Sequence, residues 1–146
     1  MSILNQYKDL RLIRRSFDLE TSDREYVSLQ SEGTGDLATV TGRNNLAQAV
    51  INRLLTRRGE LTALGHPDYG SRLYELVGEL NNLRIRALAE LYIRDCLAQE
   101  KRIEKVTYVT FQAPERGIDR HYLKTTIGIK AVGEEQVFGI VIPINI

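Results

Sequence analysis

The final segment, Val137–Ile146, is the part of the sequence that most constrains the fold. Its alternation is typical of a β-strand, yet apolar side chains fall on both faces: Val137, Phe138, Ile140, Val141, Ile142, Ile144 and Ile146. A sheet with one face in water carries polar residues on that face, and an uncovered apolar edge strand promotes aggregation. Helices and the N-terminal segment could cover the two faces. We favour the alternative, in which another chain packs on or pairs with this strand.

Two earlier segments are also predicted to be strands, because apolar and polar residues alternate in them. They lie around Thr107–Phe111 and Leu123–Ile129. Pro114–Gly117 is typical of a turn, and Gly133-Glu134 favours a hairpin turn into the final strand.

The middle of the chain has helical periodicity. An apolar stripe predicts a helix that begins near a cap at Asn44 or Asn45 and approaches Gly59. A longer helix is predicted from Leu83, after a cap at Asn81 or Asn82, to about Lys105. The predicted fold class is therefore α+β, with helices packed on one face of a small, mainly antiparallel sheet.

The first residues differ from the rest, and the sequence predicts an N-terminal arm over 1–35 and one domain over 36–146. Leu4, Tyr7, Leu10 and Ile13 have helical spacing in a basic segment. A linker follows, in which Phe17 and Leu19 could anchor the arm on a partner.

Composition excludes several classes of function. The chain has 20 Lys and Arg against 19 Asp and Glu, so no general attraction to nucleic acid or membrane surfaces is expected. The single cysteine, Cys96, fits a core position in a reducing compartment. No apolar run approaches the ~20 residues needed to span a bilayer, and the first residues do not resemble a secretory signal. We expect a product that is cytoplasmic when made.

Charge and tight turns are concentrated between the two predicted helices, in Leu54–Leu73, which we call the elbow. The sequence reads Leu54-Leu-Thr-Arg-Arg-Gly-Glu60, then His66-Pro-Asp-Tyr-Gly-Ser-Arg-Leu73. Gly59 can end a helix in the left-handed conformation. Arg57 and Arg58 suit the negative end of that helix, and their forked donors suit carboxylates on a neighbouring protein.

Glu60 and Asp68 offer an enzymatic alternative. Paired carboxylates cleave glycosidic bonds, so the chain could be a glycosidase. However, it contains no tryptophan to form a sugar platform, and Asp68 in Pro-Asp-Tyr-Gly is equally suited to a turn. His66 and His121 lack further residues at metal-ligand spacing, so we predict no metal and no cofactor.

The elbow resembles the phage baseplate W, or lysozyme-like wedge, family. These are small baseplate proteins of contractile tails, with counterparts in type VI secretion and in extracellular contractile injection systems. The family has Leu-Leu-Thr-x-x-Gly-Glu, a short spacer, then Pro-Asp-Tyr/Phe-Gly. Leu54–Thr56, Gly59-Glu60 and Pro67–Ser71 match this pattern, whereas Arg58 and Leu61 replace a proline and an arginine that are frequent in the family.

This resemblance implies a fold similar to the inner domain of contractile tail-sheath proteins. It also implies a non-enzymatic wedge component, six per baseplate, that links hub or spike and wedge subunits and templates the first ring of tail sheath. A phage, a bacteriocin-like tail or a secretion apparatus could contain it. Two alternatives remain: a peptidoglycan-cleaving muramidase that uses Glu60 and Asp68, and a regulatory adaptor that shares the fold and binds a response regulator. The expected partner-binding residues are Arg57, Arg58, Glu60, Pro67, Asp68, Tyr69, Gly70, Val141, Ile142, Ile144 and Ile146.

Overall fold

The computed structural model describes residues 3–16, 25–29, 33, 35–112 and 122–146. The chain divides into two compact units, Met1–Gln48 and Ala49–Ile146. The predicted arm boundary at residue 35 stays a prediction. Phe17 and Leu19, the turn at Pro114–Gly117 and His121 lie outside the described residues.

The first unit contains short strands. A 3₁₀ helix at Ile3–Gln6 is followed by four strands: β1 (Lys8–Leu10), β2 (Leu12–Ser16), β3 (Glu25–Leu29) and β4 (Thr39–Thr41). β1 pairs antiparallel with β4, and β2 pairs antiparallel with β3.

The segment from Leu4 to Ile13 does not form the α-helix that its spacing favours, because tertiary hydrogen bonds determine its structure. The side chain of Gln48 accepts a hydrogen bond from the N–H of Leu12 and donates one to the C=O of Leu10, both at 2.9 Å. The backbone between β1 and β2 is thereby satisfied without forming a helix.

Helix α1 (Gly42–Leu55) carries the predicted apolar stripe, and Leu46, Val50 and Leu54 on it are buried. It begins earlier than predicted, so neither asparagine caps it. Asn45 is buried and donates its side-chain N–H to the C=O of Val40 at 3.2 Å.

Helix α2 (Leu83–Leu97) begins as predicted, with the side chain of Asn82 accepting a hydrogen bond from the N–H of Ile85 at 3.0 Å. Its inner face is buried, including Cys96 as predicted. The predicted end near Lys105 is wrong. The chain turns after Leu97 and enters a strand at Ile103, because the β-branched residues that follow pair with the sheet.

The second unit contains a three-stranded antiparallel sheet in the order β5 (Ile103–Phe111), β6 (Tyr122–Ala131), β7 (Val137–Asn145). Leu123, Thr125, Ile127 and Ile129 on β6 are fully buried. The predicted hairpin turn is present, with the N–H of Glu134 donating to the C=O of Ala131 at 3.2 Å. α2 contacts β5, and a 3₁₀ helix at Leu73–Leu76 contacts β7. The predicted α+β class is confirmed.

The two faces of β7 differ more than the sequence suggested. Ile140, Ile142 and Ile144 are buried, as is Ile146 just beyond the strand. Val137 and Val141 are exposed on the other face, where glycine, proline and asparagine occupy the remaining positions. The isoleucines therefore belong to the core of this chain, and the outer face of the strand is only sparsely apolar.

Candidate functional site

The two halves of the elbow motif lie side by side and are joined through their backbones. The N–H of Ser71 donates to the C=O of Thr56 at 2.8 Å, and the N–H of Arg58 donates to the C=O of Ser71 at 2.9 Å. A single parallel β-bridge thus joins Arg57 to Ser71. The hydroxyl of Ser71 also donates to the C=O of Leu54, at the end of α1.

Gly70 is the residue that this close approach requires. Its φ is +103°, a conformation that other residues rarely adopt. A Cβ at this position would lie 2.6 Å from the carbonyl oxygen of Thr56, in a contact with backbone that cannot move aside. The glycine of Pro-Asp-Tyr-Gly therefore allows the second half of the motif to pack on the first.

Glu60 closes the first turn of the elbow. Its carboxylate accepts a hydrogen bond from the N–H of Arg57 at 3.1 Å, and its own N–H donates to the C=O of Arg57 at 3.0 Å. Gly59, with φ +88°, provides the reversal between them. The Gly-Glu pair thus has a local structural role whatever else it does.

The two arginines of the elbow point in different directions. Arg57 is exposed, with its guanidinium carbon 5.5 Å from the centroid of the Tyr74 ring. Arg58 turns towards α2 and forms an ion pair with Asp95, Nη2 to Oδ2, at 2.9 Å. With its amide oriented to satisfy both neighbours, Gln99 accepts from Arg58 Nη2 at 3.2 Å and donates to the C=O of Asp68 at 3.1 Å.

A group of partly buried charges, Arg53, Glu100 and Arg102, lies against Tyr69; we call these four residues the Glu100 cluster. Arg102 donates Nε and Nη2 to the two carboxylate oxygens of Glu100, at 2.8 and 3.2 Å. Arg53 Nη2 lies 3.8 Å from the same carboxylate, whose side chain is only 12% exposed. The guanidinium of Arg53 stacks over the Tyr69 ring at 4.5 Å, so the cluster fixes this tyrosine of the elbow.

The cluster changes the acidity of its members. Burial on its own would raise the pKa of Glu100, but hydrogen bonds and charge from Arg102, with charge from Arg53, lower it below its usual value. Burial raises the pKa of Tyr69, and the nearby Arg53 only partly opposes this. Burial raises the pKa of the Cys96 thiol to about 11, so this thiol is protonated and unreactive at neutral pH.

A second feature of the same unit is the edge of the sheet formed by β7. The N–H of Gln112, just beyond β5, donates to the C=O of Lys124, so the backbone groups of Lys124 point towards β5. Because these groups alternate along an antiparallel strand, Leu123, its neighbour, points towards β7 and its partner Ile144. The residues of β7 whose backbone groups point away from β6 are then Val137, Gly139, Val141, Pro143 and Asn145. Pro143, which has no N–H, thus occupies a position at which no hydrogen bond to β6 is formed.

The opposite edge, at β5, is protected. The guanidinium of Arg94 donates to the C=O of Val106 at 2.8 Å. The register shifts between Ile103 and Lys105 and again between Val106 and Tyr108. Bulges and side chains on an edge hinder the addition of another strand. Within the described residues, β7 is therefore the more open of the two edges.

The predicted site residues have different surroundings. Arg57, Glu60, Pro67, Asp68 and Val141 are exposed, Arg58 and Tyr69 are half-buried, and Gly70, Ile142, Ile144 and Ile146 are buried. The elbow residues come together, whereas the isoleucines lie under the sheet. Sequence reasoning missed Arg53, Glu100 and Arg102. The only available signal was two opposite charges, Glu100 and Arg102, beside the strand-forming residue Ile103.

Two absences concern the described residues alone. No group of three or more His, Cys, Asp or Glu side chains there is arranged to hold a metal ion. No helix in this part of the chain is long and apolar enough to cross a membrane.

Comparison with known proteins identifies the family. A family model described as contractile injection system sheath initiator matches residues 14–129. The chain belongs to this sheath initiator family. It is also similar to a solved structure from Geobacter sulfurreducens described as a candidate tail lysozyme, with 26% sequence identity and a TM-score of 0.59. The match covers 70% of this sheath initiator and 89% of the Geobacter chain. No curated protein matches significantly.

The family confirms the resemblance seen in the elbow and the structural role in a baseplate that it implied. A sheath initiator is incorporated into a contractile injection particle and interacts with other baseplate and sheath components. The word lysozyme comes from the description of the Geobacter structure, and the likeness to that structure is a similarity in fold.

Removal of the charge on Glu100 should destabilise the protein in a pH-dependent way. Glu100→Gln leaves two partly buried arginines without their carboxylate, so the free energy of unfolding should fall by about 3 kcal/mol at pH 7. Because the folded-state pKa of Glu100 is lowered, its contribution is present above its unfolded pKa of 4.5 and is lost as the pH falls through the folded value. Urea unfolding at about pH 7 and at about pH 3.5 or below measures this difference.

The matched control is Glu104→Gln, which removes an exposed carboxylate paired with Lys130 at 2.9 Å. Its effect should stay under ~1 kcal/mol. A difference between Glu100→Gln and the unchanged protein that is the same at both pH values would contradict the account of the cluster.

Proposed function

We propose that this sheath initiator is a non-enzymatic baseplate component that starts the sheath by accepting a strand from a sheath subunit along the open edge of β7. The single observation that carries the proposal is the arrangement of β7, in which the isoleucine side chains are buried below while the outward backbone groups have no partner strand in the described residues. An added strand would gain main-chain hydrogen bonds without disturbing the core.

This arrangement refines the role of the last residues. Ile142, Ile144 and Ile146 would support binding indirectly, by holding β7 flat against the core. Val141 is 53% exposed and would contact the incoming strand or its side chains directly. Three C=O groups near the end of β7, those of Val141, Pro143 and Asn145, would accept hydrogen bonds, and Pro143 would limit the number of donors.

The elbow would bind wedge or hub subunits, with six copies of the chain in each baseplate. Arg57, Pro67 and Asp68 are exposed on a segment whose backbone is fixed by Gly70 and the Glu100 cluster. A rigid surface loses little conformational entropy on binding, which favours affinity. Arg57 is the better candidate for a carboxylate of a partner, because Arg58 is already paired with Asp95.

The absence of catalysis is also part of the proposal. Glu60 and Asp68 are both exposed, whereas the general acid of a glycosidase lies in a cleft that shields it from water. The carboxylate of Glu60 is further engaged by the N–H of Arg57.

Val141→Pro should separate sheath assembly from folding. The substitution removes an outward N–H of β7 and places a ring where a partner strand would approach, while the hydrogen bonds to β6 are retained. We expect sheath polymerisation on baseplates to fall by roughly tenfold or more, the equivalent of 1.4 kcal/mol or more. Electron microscopy of sheath length and number gives the measurement, and thermal unfolding of the purified chain reports on the fold.

The matched control for that test is Val141→Ala, which keeps the backbone N–H and removes most of the side chain. It should polymerise sheath nearly normally if main-chain pairing dominates. Sheaths of normal number and length on baseplates carrying Val141→Pro would overturn the proposed role of the β7 edge.

The two elbow arginines provide a second matched pair. Arg57→Glu should impair association with wedge subunits at low salt, yet change the free energy of unfolding by no more than about 0.5 kcal/mol. Arg58→Glu places a carboxylate opposite Asp95 and should lower the stability itself. Co-purification with wedge subunits and urea unfolding distinguish the two effects; normal association of Arg57→Glu would show that Arg57 is only solvated.

A direct assay tests the proposed lack of catalysis. Purified chain incubated with peptidoglycan should release no more reducing sugar than buffer alone. Turnover that Glu60→Gln removes would establish the muramidase alternative instead.

A further inference from the structure

The outer face of α2 carries leucines that the core does not use. Leu83 is 84% exposed and Leu91 is 58% exposed, and the exposed Ala87 lies midway between them. A spacing of four residues places all three on one side of a helix. We call Leu83, Ala87 and Leu91 the α2 stripe. Single exposed leucines are ordinary, but an aligned apolar row on a helix is typical of a contact surface.

The shape of the stripe suits another helix. Two large residues flank a small one, so a partner side chain can enter above Ala87 while Leu83 and Leu91 pack on either side. Rows of residues spaced by four form the ridges that pack into the grooves of a second helix. The stripe extends about 12 Å along the axis, at 1.5 Å per residue.

The charge around the stripe is positive at one end. Arg84, which is exposed, follows Leu83 directly, and the half-buried Arg86 lies one turn further along the helix. Arg86 donates Nε to the side chain of Asn81 at 2.8 Å, and the N-terminus of the helix adds its own partial positive charge. The carboxylates of the helix are already engaged: Glu90 pairs with Arg94, and Asp95 pairs with Arg58, both at 2.9 Å. A partner would therefore bind best with carboxylates near Leu83.

We infer that the α2 stripe docks an amphipathic helix of a different baseplate subunit, with acidic residues of that helix beside Arg84 and Arg86. The identity of the occupant as a baseplate subunit rests on the proposed function. A second copy of this chain fits less well, because its own stripe has no unengaged carboxylate to offer. The contact is short, so it would act together with the elbow and β7 contacts, where high effective concentration makes a small interface sufficient.

Site-specific photocrosslinking in assembled particles tests the inference. The chain carries p-benzoylphenylalanine at residue 83, at residue 91 or, as a control, at residue 37. Leu37 is 46% exposed and lies outside α2, the elbow and β7. Particles are purified, the chain is detected by immunoblot, and crosslinked peptides are identified by mass spectrometry. We expect residues 83 and 91 to crosslink to one helical segment of another subunit, with acidic residues near the residue 83 contact.

Several results would overturn the inference. Crosslinks from residues 83 and 91 to a second copy of the chain would show that the stripe binds another copy of itself. Crosslinks to non-helical segments, or no crosslinks at all, would show that no partner helix docks on the stripe. These outcomes leave the proposed function standing if the chain is present in the particles. Absence of the unlabelled chain from purified particles would instead contradict both.

A pair of variants gives an independent readout. Leu83→Glu combined with Leu91→Glu should reduce incorporation into particles at least about tenfold, a loss of 1.4 kcal/mol or more, with the unfolding midpoint unchanged because both side chains are exposed. Leu37→Glu should incorporate normally, because Leu37 is exposed and lies outside α2, the elbow and β7. Arg84→Glu should weaken incorporation more at low than at high salt, and equal incorporation of all these variants would refute the inference.

Discussion

A strand at the margin of a sheet leaves every second N–H and C=O pointing away from its neighbour, and β7 occupies that position in this protein. The opposite margin, β5, is interrupted by register shifts and by the contact between Arg94 and Val106. The isoleucine side chains of β7 are buried in the core of the same chain. The sheet can therefore gain a strand at one edge while the fold itself remains intact, and the proposed start of sheath assembly depends on this asymmetry.

In the elbow, backbone and side-chain contacts hold an exposed, charged surface in one conformation. Gly70 allows backbone to lie against backbone, and the Glu100 cluster fixes Tyr69 from the other side. Partly buried charges are costly unless they are paired, and here a forked contact between Glu100 and Arg102 satisfies the carboxylate. The partly buried charges of the Glu100 cluster thus hold the elbow rigid, and the exposed charges of the elbow remain available to a partner.

The sequence predicted what local patterns determine. The cap at Asn82, the alternation of β6, the turn at Gly133 and the α+β class follow from spacing and residue type. It did not predict contacts between distant residues. Three such contacts depend on the tertiary fold. They are the hydrogen bonds of Gln48 where β1 leads into β2, the ion pair between Arg58 and Asp95, and the pairing of Glu100 with Arg102 and Arg53. The apolar character of the final segment was recognised, but the burial of its isoleucines by its own helices was the alternative that we favoured less.

The central claim is that β7 is completed by a strand from another subunit. A cryo-electron microscopy reconstruction of an assembled particle, at a resolution that traces the main chain, tests it most directly. The account predicts a foreign strand hydrogen-bonded to the outward backbone groups of Val137, Gly139, Val141, Pro143 and Asn145. A β7 edge that remains bare in the assembled particle, or that is covered only by residues of its own chain, would contradict it.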